Sequence, residues 1–189
     1  MSKKNLGASG VVFPGAVLII GTYDENGVPD AMNAAWGGQC GPKHIAMNLG
    51  KHKTTDNLEK TKAFTIAFGD AQHIVESDYV GIVSGDKVPD KISRAGLTAV
   101  KSEFVDAPIF SEFPVTLECK LLSFGTDEAT GELRAVGEIV NVTADEAVLT
   151  DGKIDWSKVR PIVFDGVSAG YWVVGERVGN AFSDGKKLI

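Results

Sequence analysis

Cysteine is almost missing from this chain: Cys40 and Cys119 are the only two among 189 residues. Two cysteines make no disulfide framework of the kind that staples small secreted domains, so both read as reduced thiols. A basic surplus is missing as well. Lys and Arg number 19 against 25 Asp and Glu, a formal charge of −6. That balance excludes a general nucleic-acid binder, because backbone phosphates are held by surplus cations, and any anion site here must be local. No apolar run reaches the roughly 20 residues that span a bilayer. The best candidate, "VVFPGAVLII", has ten residues and contains Pro14 and Gly15, so it reads as a core strand. The start, "MSKKNLGASG", lacks the apolar region of a signal peptide, and the expected location is the cytoplasm, with no membrane partner. Neither a P-loop nor a Rossmann glycine pattern occurs, and no nucleophile-elbow or cysteine-protease signature is present. Metal binding is not expected either: Cys40-x3-His44 has no second ligand pair, and His52 and His73 are scattered.

What is present is an ordinary globular composition, 43% hydrophobic and 23% charged, in a chain of single-domain length that buries roughly 70% of its unfolded surface. One domain over residues 1–189 is expected. The strongest hairpin signal is "VLIIGTYDENGVPDAMNAAW", in which Asn26-Gly27 offers the two positive φ angles of a tight type I′ turn. A second hairpin is read in "FPVTLECKLLSFGTDEATGELRAVGEIVNVTA", turning near Thr130-Gly131. "HIAMNL", "AFTIAF" and "GYWVVGE" are further strand-length apolar runs. Helices gather in the middle. "TTDNLEKTK" begins with Asp56 and Glu59 as a cap pair and turns Leu58 inward. "HIVESDYVGIVSG" places Ile74 or Val75, Tyr79 and Ile82 or Val83 on one inner stripe and ends at Gly85, and "PDKISRAGL" is closed by Gly96. Strands at both ends with helices between them predict a mainly β fold, an antiparallel barrel with peripheral helices.

Two neighbouring segments carry the chemistry. In "GKHKTTDNL", Lys51 and Lys53 supply charge and Thr54 and Thr55 supply hydroxyls ahead of a helix whose free N–H groups favour an anion. An ordinary helix cap with solvated lysines explains the same residues. In "MNAAWGGQC", Asn33, Ala34 and Ala35 are small or amide-bearing and would let a flat ring approach the backbone, with Trp36 as a wall. A core tryptophan followed by a glycine turn is the plainer alternative. Cys40 is open between a redox thiol, a metal ligand and a small buried hydrophobe, the last being the commonest state of free cysteines. Cys119, in the alternating strand "VTLECKLL", reads as structural.

The ordered series "NAAW", "HIAMNL", "KTTDNL", "SGDKVPDKISRAGL", "DAPIF" and "PVTLECKLL" resembles the flavin reductase-like FMN-binding family, including the flavoredoxins, over about residues 11–175. The resemblance implies a split β-barrel, of Greek-key antiparallel kind, forming a homodimer with non-covalent FMN near the subunit interface. Carried over by position, Asn33, Ala34, Ala35 and Trp36 would line the isoalloxazine ring, and Asn48 and Leu49 would flank the ribityl chain. Lys53, Thr54, Thr55 and Asn57 would hold the phosphate or its support. Ser84, Gly85 and Lys91 would close the site, and Cys40 stands at its edge. Lys53 occupies a position where many relatives carry histidine. The implied activity is FMN-dependent oxidoreduction, as a flavin reductase or a flavoredoxin-like electron carrier. Hydride or electron transfer would run through flavin N5, fed by NAD(P)H or a redox protein, with no catalytic side chain required. The competing readings are a protein that binds FMN without turnover and a cofactor-free β-barrel interaction domain.

Overall fold

The computed structural model describes residues 2–8 and 14–189. Its strands and helices run β1 (Gly15–Ala16), β2 (Leu18–Tyr23), β3 (Pro29–Ala34), β4 (Gly37–Gly41), β5 (His44–Leu49), α1 (Lys53–Thr61), β6 (Ala63–Phe68), α2 (Ile74–Ile82), α3 (Lys91–Arg94), β7 (Ala99–Lys101), β8 (Pro108–Phe110), β9 (Val115–Thr126), β10 (Leu133–Ala144), β11 (Leu149–Thr150), β12 (Lys153–Ile154), α4 (Trp156–Val159), β13 (Ile162–Asp165) and β14 (Gly170–Val173). Seven strands form one antiparallel sheet in the order β3-β2-β6-β9-β10-β5-β4. This is the mainly β architecture with peripheral helices that the strand and helix signals predict.

The run read as one core strand over residues 11–20 is divided. Val17 interrupts it, donating its N–H to Ile162 O and accepting from Gly69 N–H, which links β1 to the sheet of β13 and β14. Residues 11–13 of that run lie outside the described residues. β2 is buried on both faces, as a continuous apolar run requires. Leu18 and Ile20 point into the barrel with Met32, Met47, Phe64 and Ile66, while Ile19 points outward with Val80, Ile92, Phe110 and Ile162, beneath the helices. The long β9–β10 hairpin curls around Phe64. Its register shifts at Val136/Gly137 and Ile139/Asn141, and a Cβ on Gly137 would lie only 2.4 Å from the Phe64 ring. Two irregularities in one strand pair add the local twist that bends a flat sheet toward closure.

Three local expectations are corrected. The Asn26-Gly27 connection is a five-residue loop rather than a type I′ turn. Only Gly27 has a positive φ, 75°, and the Asp24 carboxylate organises the loop by accepting from the N–H groups of Asn26 and Val28, each at 2.9 Å. Helix α1 is capped at His52, whose N–H is taken by Thr55 Oγ1 at 2.9 Å, so the Asp56 and Glu59 pair is not its cap; Leu58 is fully buried, as its position on the inner face predicts. Helix α2 turns Ser77 and Val80 inward, whereas Ile74, Val75 and Ile82 are exposed, by 38%, 78% and 74%. Of the stripe expected to face inward, Tyr79 is half-buried against the core and Val83 is half-buried, while positions 74, 75 and 82 mark the outer face.

Candidate functional site

Where β3 ends, the chain builds a cavity of about 300 Å³, lined by Asn33, Ala34, Ala35 and Trp36, by Asn48, Leu49, Gly50 and His52, and by Val17, Met32, Gly81, Phe164 and Tyr171. Small residues set its shape. A Cβ on Gly15 would fall 2.2 Å from Ala35 O, and one on Gly81 would fall 2.6 Å from the Asn33 carboxamide. Strand β1 and helix α2 can therefore press against this corner only because both positions are glycine. Asn33 is pinned in place by donating Nδ2 to Ser77 O at 2.9 Å. The Trp36 carbonyl is held by Asn48 N–H at 2.8 Å, yet the Trp36 side chain is 57% exposed. It is a wall at the cavity mouth, not a core residue.

Tyr171 closes the far side. Its hydroxyl donates to Asp78 Oδ1 at 2.8 Å, and its ring lies 6.0 Å from that of Phe164. Burial, helped by the Asp78 carboxylate, pushes the phenol up to about 12, so Tyr171 stays a neutral donor at ordinary pH. Arg134 Nη1 reaches Asn48 Oδ1 at 3.3 Å from the neighbouring strand β10.

Next to the cavity, at the start of α1, lies a charged group centred on Asp30. Thr54 Oγ1 donates to Asp30 Oδ2 at 2.7 Å, and Lys91 Nζ sits 3.5 Å from Asp30 Oδ1 with its side chain 4% exposed. Lys53 Nζ stands 3.5 Å from Asp24 Oδ2, with its side chain 19% exposed. A Cβ on Gly85 would meet both Asp30 Oδ1, at 2.5 Å, and Lys53, at 3.0 Å, so the segment after α2 seals this group from above. Burial draws the Lys91 ammonium below the usual lysine range, opposed by Asp30 and reinforced by Lys53. Both ion pairs are longer than the roughly 2.7–2.9 Å of a tight charge-assisted bond.

The residues singled out by sequence thus fall into three sets. Asn33, Ala34, Ala35, Trp36, Asn48 and Leu49 share the cavity. Lys53, Thr54, Gly85 and Lys91 gather around Asp30, and Ser84, next to Gly85, lies in a turn in which its Oγ accepts from Asp86 N–H. Thr55 and Asn57 are spent on local structure: Thr55 Oγ1 donates back to His52 O at 2.7 Å, and Asn57 Nδ2 donates to Thr22 Oγ1 at 3.2 Å. Cys40 is not brought to the cavity. It is exposed on strand β4, beside Gly38 and Gln39, which border a different groove. Residues that sequence reasoning missed include His52, Gly81, Tyr171 and Asp30. His52 stood inside the quoted lysine-threonine segment; Tyr171, some 120 positions later, gave no local signal.

With this geometry in place, the chain can be set among known proteins. It belongs to the Flavin reductase like domain family, which it matches over residues 9–164. Flavoredoxin of Desulfovibrio vulgaris (Miyazaki F) is 39% identical and superimposes with a TM-score of 0.90 over 97% of this chain and 100% of that one. Flavoredoxin of Methanosarcina acetivorans is 25% identical, with a TM-score of 0.88 over all of both chains. A Shewanella frigidimarina structure with a split barrel domain, at 22% identity and a TM-score of 0.77 over 90% of this chain and 87% of that one, shares the fold. Among curated sequences, an uncharacterised protein of Halalkalibacterium halodurans is 25% identical over 172 residues, 81% of this chain and 78% of that protein. The chain spans only half of an Aeropyrum pernix relative that is 27% identical over 133 residues, 67% of this chain. Among the described residues no helix is long and apolar enough to cross a membrane.

Proposed function

We propose that this chain binds FMN non-covalently in the cavity at the end of β3 and works as an oxidoreductase, a flavin reductase or a flavoredoxin-like electron carrier. The observation that carries the reading is the half-exposed Trp36 set against the small Ala34 and Ala35 at one end of the slot, with the loosely paired Lys53 and Lys91 at the start of α1 beside it. A cavity of about 300 Å³ lies at the lower end of the range for small-molecule sites. Its polar groups suit an amphipathic planar ligand. Ala34, Ala35 and Trp36 would flank the ring, and Asn48 and Leu49 the ribityl chain. Lys53, with the N-terminal N–H groups of α1, would face the phosphate, while Thr54 and Asp30 hold that helix start in place.

When bound, FMN would supply the redox chemistry, taking a hydride at N5 and giving electrons on singly or in pairs. The residues of this chain orient it, exclude water from one face, and keep Tyr171 protonated beside it. NAD(P)H or a redox protein is the proposed donor, and a homodimer the proposed assembly, since an open barrel leaves apolar surface for a two-fold partner. The test is reconstitution followed by anaerobic mixing with NADH, NADPH and a reduced ferredoxin. Bleaching of bound flavin by any donor supports the reading. Binding without bleaching by all three would leave a flavin-holding protein, and no retention of FMN at all would overturn both.

A further inference from the structure

Residues 175–189 form an arm that follows β14 and makes nothing of its apolar side chains. Among the described residues, every hydrogen bond of this segment falls within the segment itself: Asn180 N–H donates to Asp184 Oδ2 at 2.8 Å, Arg177 Nε to Gly179 O at 3.1 Å, and Arg177 also pairs with Asn180. Val178, Phe182, Leu188 and Ile189 are each at least 93% exposed. Phe182 is moreover held at a φ of 61°. The left-handed region is unfavourable for a bulky side chain and persists only where surroundings enforce it. Among the described residues nothing rewards that strain, and Phe182 is 99% exposed.

Among the described residues, nothing fills an apolar groove of about 580 Å³ that runs between strands β5 and β10 and the segment of β12 and α4. Its lining includes Leu18, Ile45, Leu117, Val142, Ile154 and Trp156. Leu18 and Ile45 are core residues, 1% and 2% exposed, so the groove opens toward the barrel interior, while Val142 and Trp156 at its rim are 46% and 45% exposed. Among the described residues, Lys43 is the only charged side chain lining it. One surface offers an aromatic knob and the other an apolar slot, and a two-fold pair of identical chains buries both twice.

We propose that the arm of one copy docks through Phe182 into the groove over Leu117, Val142 and Trp156 of a second copy, so that two copies of this chain exchange arms. This deepens the homodimer reading above and rests on it. The exchange explains why the arm is organised by its own hydrogen bonds yet leaves its apolar side chains bare. It also predicts that the groove is closed to solvent in the assembled protein.

Sedimentation equilibrium of the full chain with Phe182→Asp, Val142→Asp and Trp156→Ala tests the proposal, together with the rate of tryptic cleavage after Arg177. The full chain should be a dimer with a slow cut. Each variant should weaken dimerisation by about thirtyfold, the loss expected for a buried aromatic anchor or its pocket, and should speed the cut, with an unchanged far-UV circular dichroism spectrum. Trp156→Ala, a truncation at the exposed rim, keeps the groove testable if Val142→Asp fails to fold. A dimer indifferent to all three substitutions overturns the exchange while leaving the homodimer standing. A monomer at every concentration overturns both, and a monomer whose Arg177 is protected would mean that the arm folds onto its own groove. Sensitivity to Phe182→Asp alone would place the arm on another surface and overturn the groove assignment.

Discussion

Asp30 and Glu118 are both carboxylates hidden from water, 2% and 0% exposed, and they are partnered in opposite ways. Asp30 faces a cation, Lys91, and one hydroxyl, Thr54. Glu118, on β9, faces no cation among its bonded partners. It accepts from Asn141 Nδ2 at 2.6 Å, from Thr143 Oγ1 at 2.5 Å, and from the Ser102 hydroxyl. Ser102 in turn accepts from Phe104 and Val105 N–H, each at 3.0 Å, so Glu118 ties the β7–β8 loop to the sheet. Its burial pushes the carboxyl up, but the bonds from Ser102, Thr143 and Asn141 more than offset this and hold it below the usual carboxylate range. The lesson is one of saturation. Glu118 has short, neutral, fixed donors and nothing to exchange. Around Asp30 the pairing is looser: Lys91 Nζ stands 3.5 Å from it, and the neighbouring Lys53 Nζ stands 3.5 Å from Asp24.

Breaking that contrast should cost most at Asp30. Asp30→Asn removes the carboxylate that compensates a buried lysine and should destabilise the fold by about 3–5 kcal/mol, read from urea unfolding. A loss near zero would mean that Lys91 already finds another partner. Lys53→Ala should weaken FMN by about 1.5–3 kcal/mol and riboflavin little, in parallel fluorescence titrations. Equal weakening of both flavins would point to damage at the start of α1 rather than to a phosphate contact.

Glu118→Gln should cost about 1–3 kcal/mol, because one amide face now opposes three donors. It also carries a sign. A carboxylate held below its unfolded value stabilises the fold above roughly pH 4.3 and loses that contribution as pH falls further. The unmodified chain should therefore lose stability in acid more steeply than Glu118→Gln, and parallel acid slopes would assign that pH dependence to other groups. The smallest effect concerns the thiols. Burial, with Glu118 beside it, pushes Cys119 up to about 12, so a disulfide reagent at pH 8 should modify the exposed Cys40 and spare Cys119, without changing the melting temperature.

Much of the fold was legible because its signals are local. "HIAMNL" and "AFTIAF" coincide with β5 and β6, since short β-rich runs bounded by polar residues leave little choice of element. The order of the seven strands was not legible, because periodicity marks strands without saying which of them pair. Helix α2 misled for a physical reason: it must lie close over Asn33, so Gly81 and Ser77 face inward and the larger apolar residues are turned outward. In the site, the slot and the lysine-threonine segment were legible as composition. Asp24 and Asp30 were not, because their pairing with Lys53 and Lys91 joins positions far apart in the chain. Cys40 stood close in sequence to Trp36, but the turn into β4 carries it to another surface.

The three tryptophans share one property with an experimental consequence. Trp36, Trp156 and Trp172 are 57%, 45% and 62% exposed, and they stand at the cavity mouth, the groove rim and the strand that leads into the arm. No indole is enclosed in either core cluster. Intrinsic emission of the folded chain should already be red-shifted, and unfolding should change it little. That makes fluorescence a poor gauge of folding for this protein and a direct gauge of what settles on its surfaces.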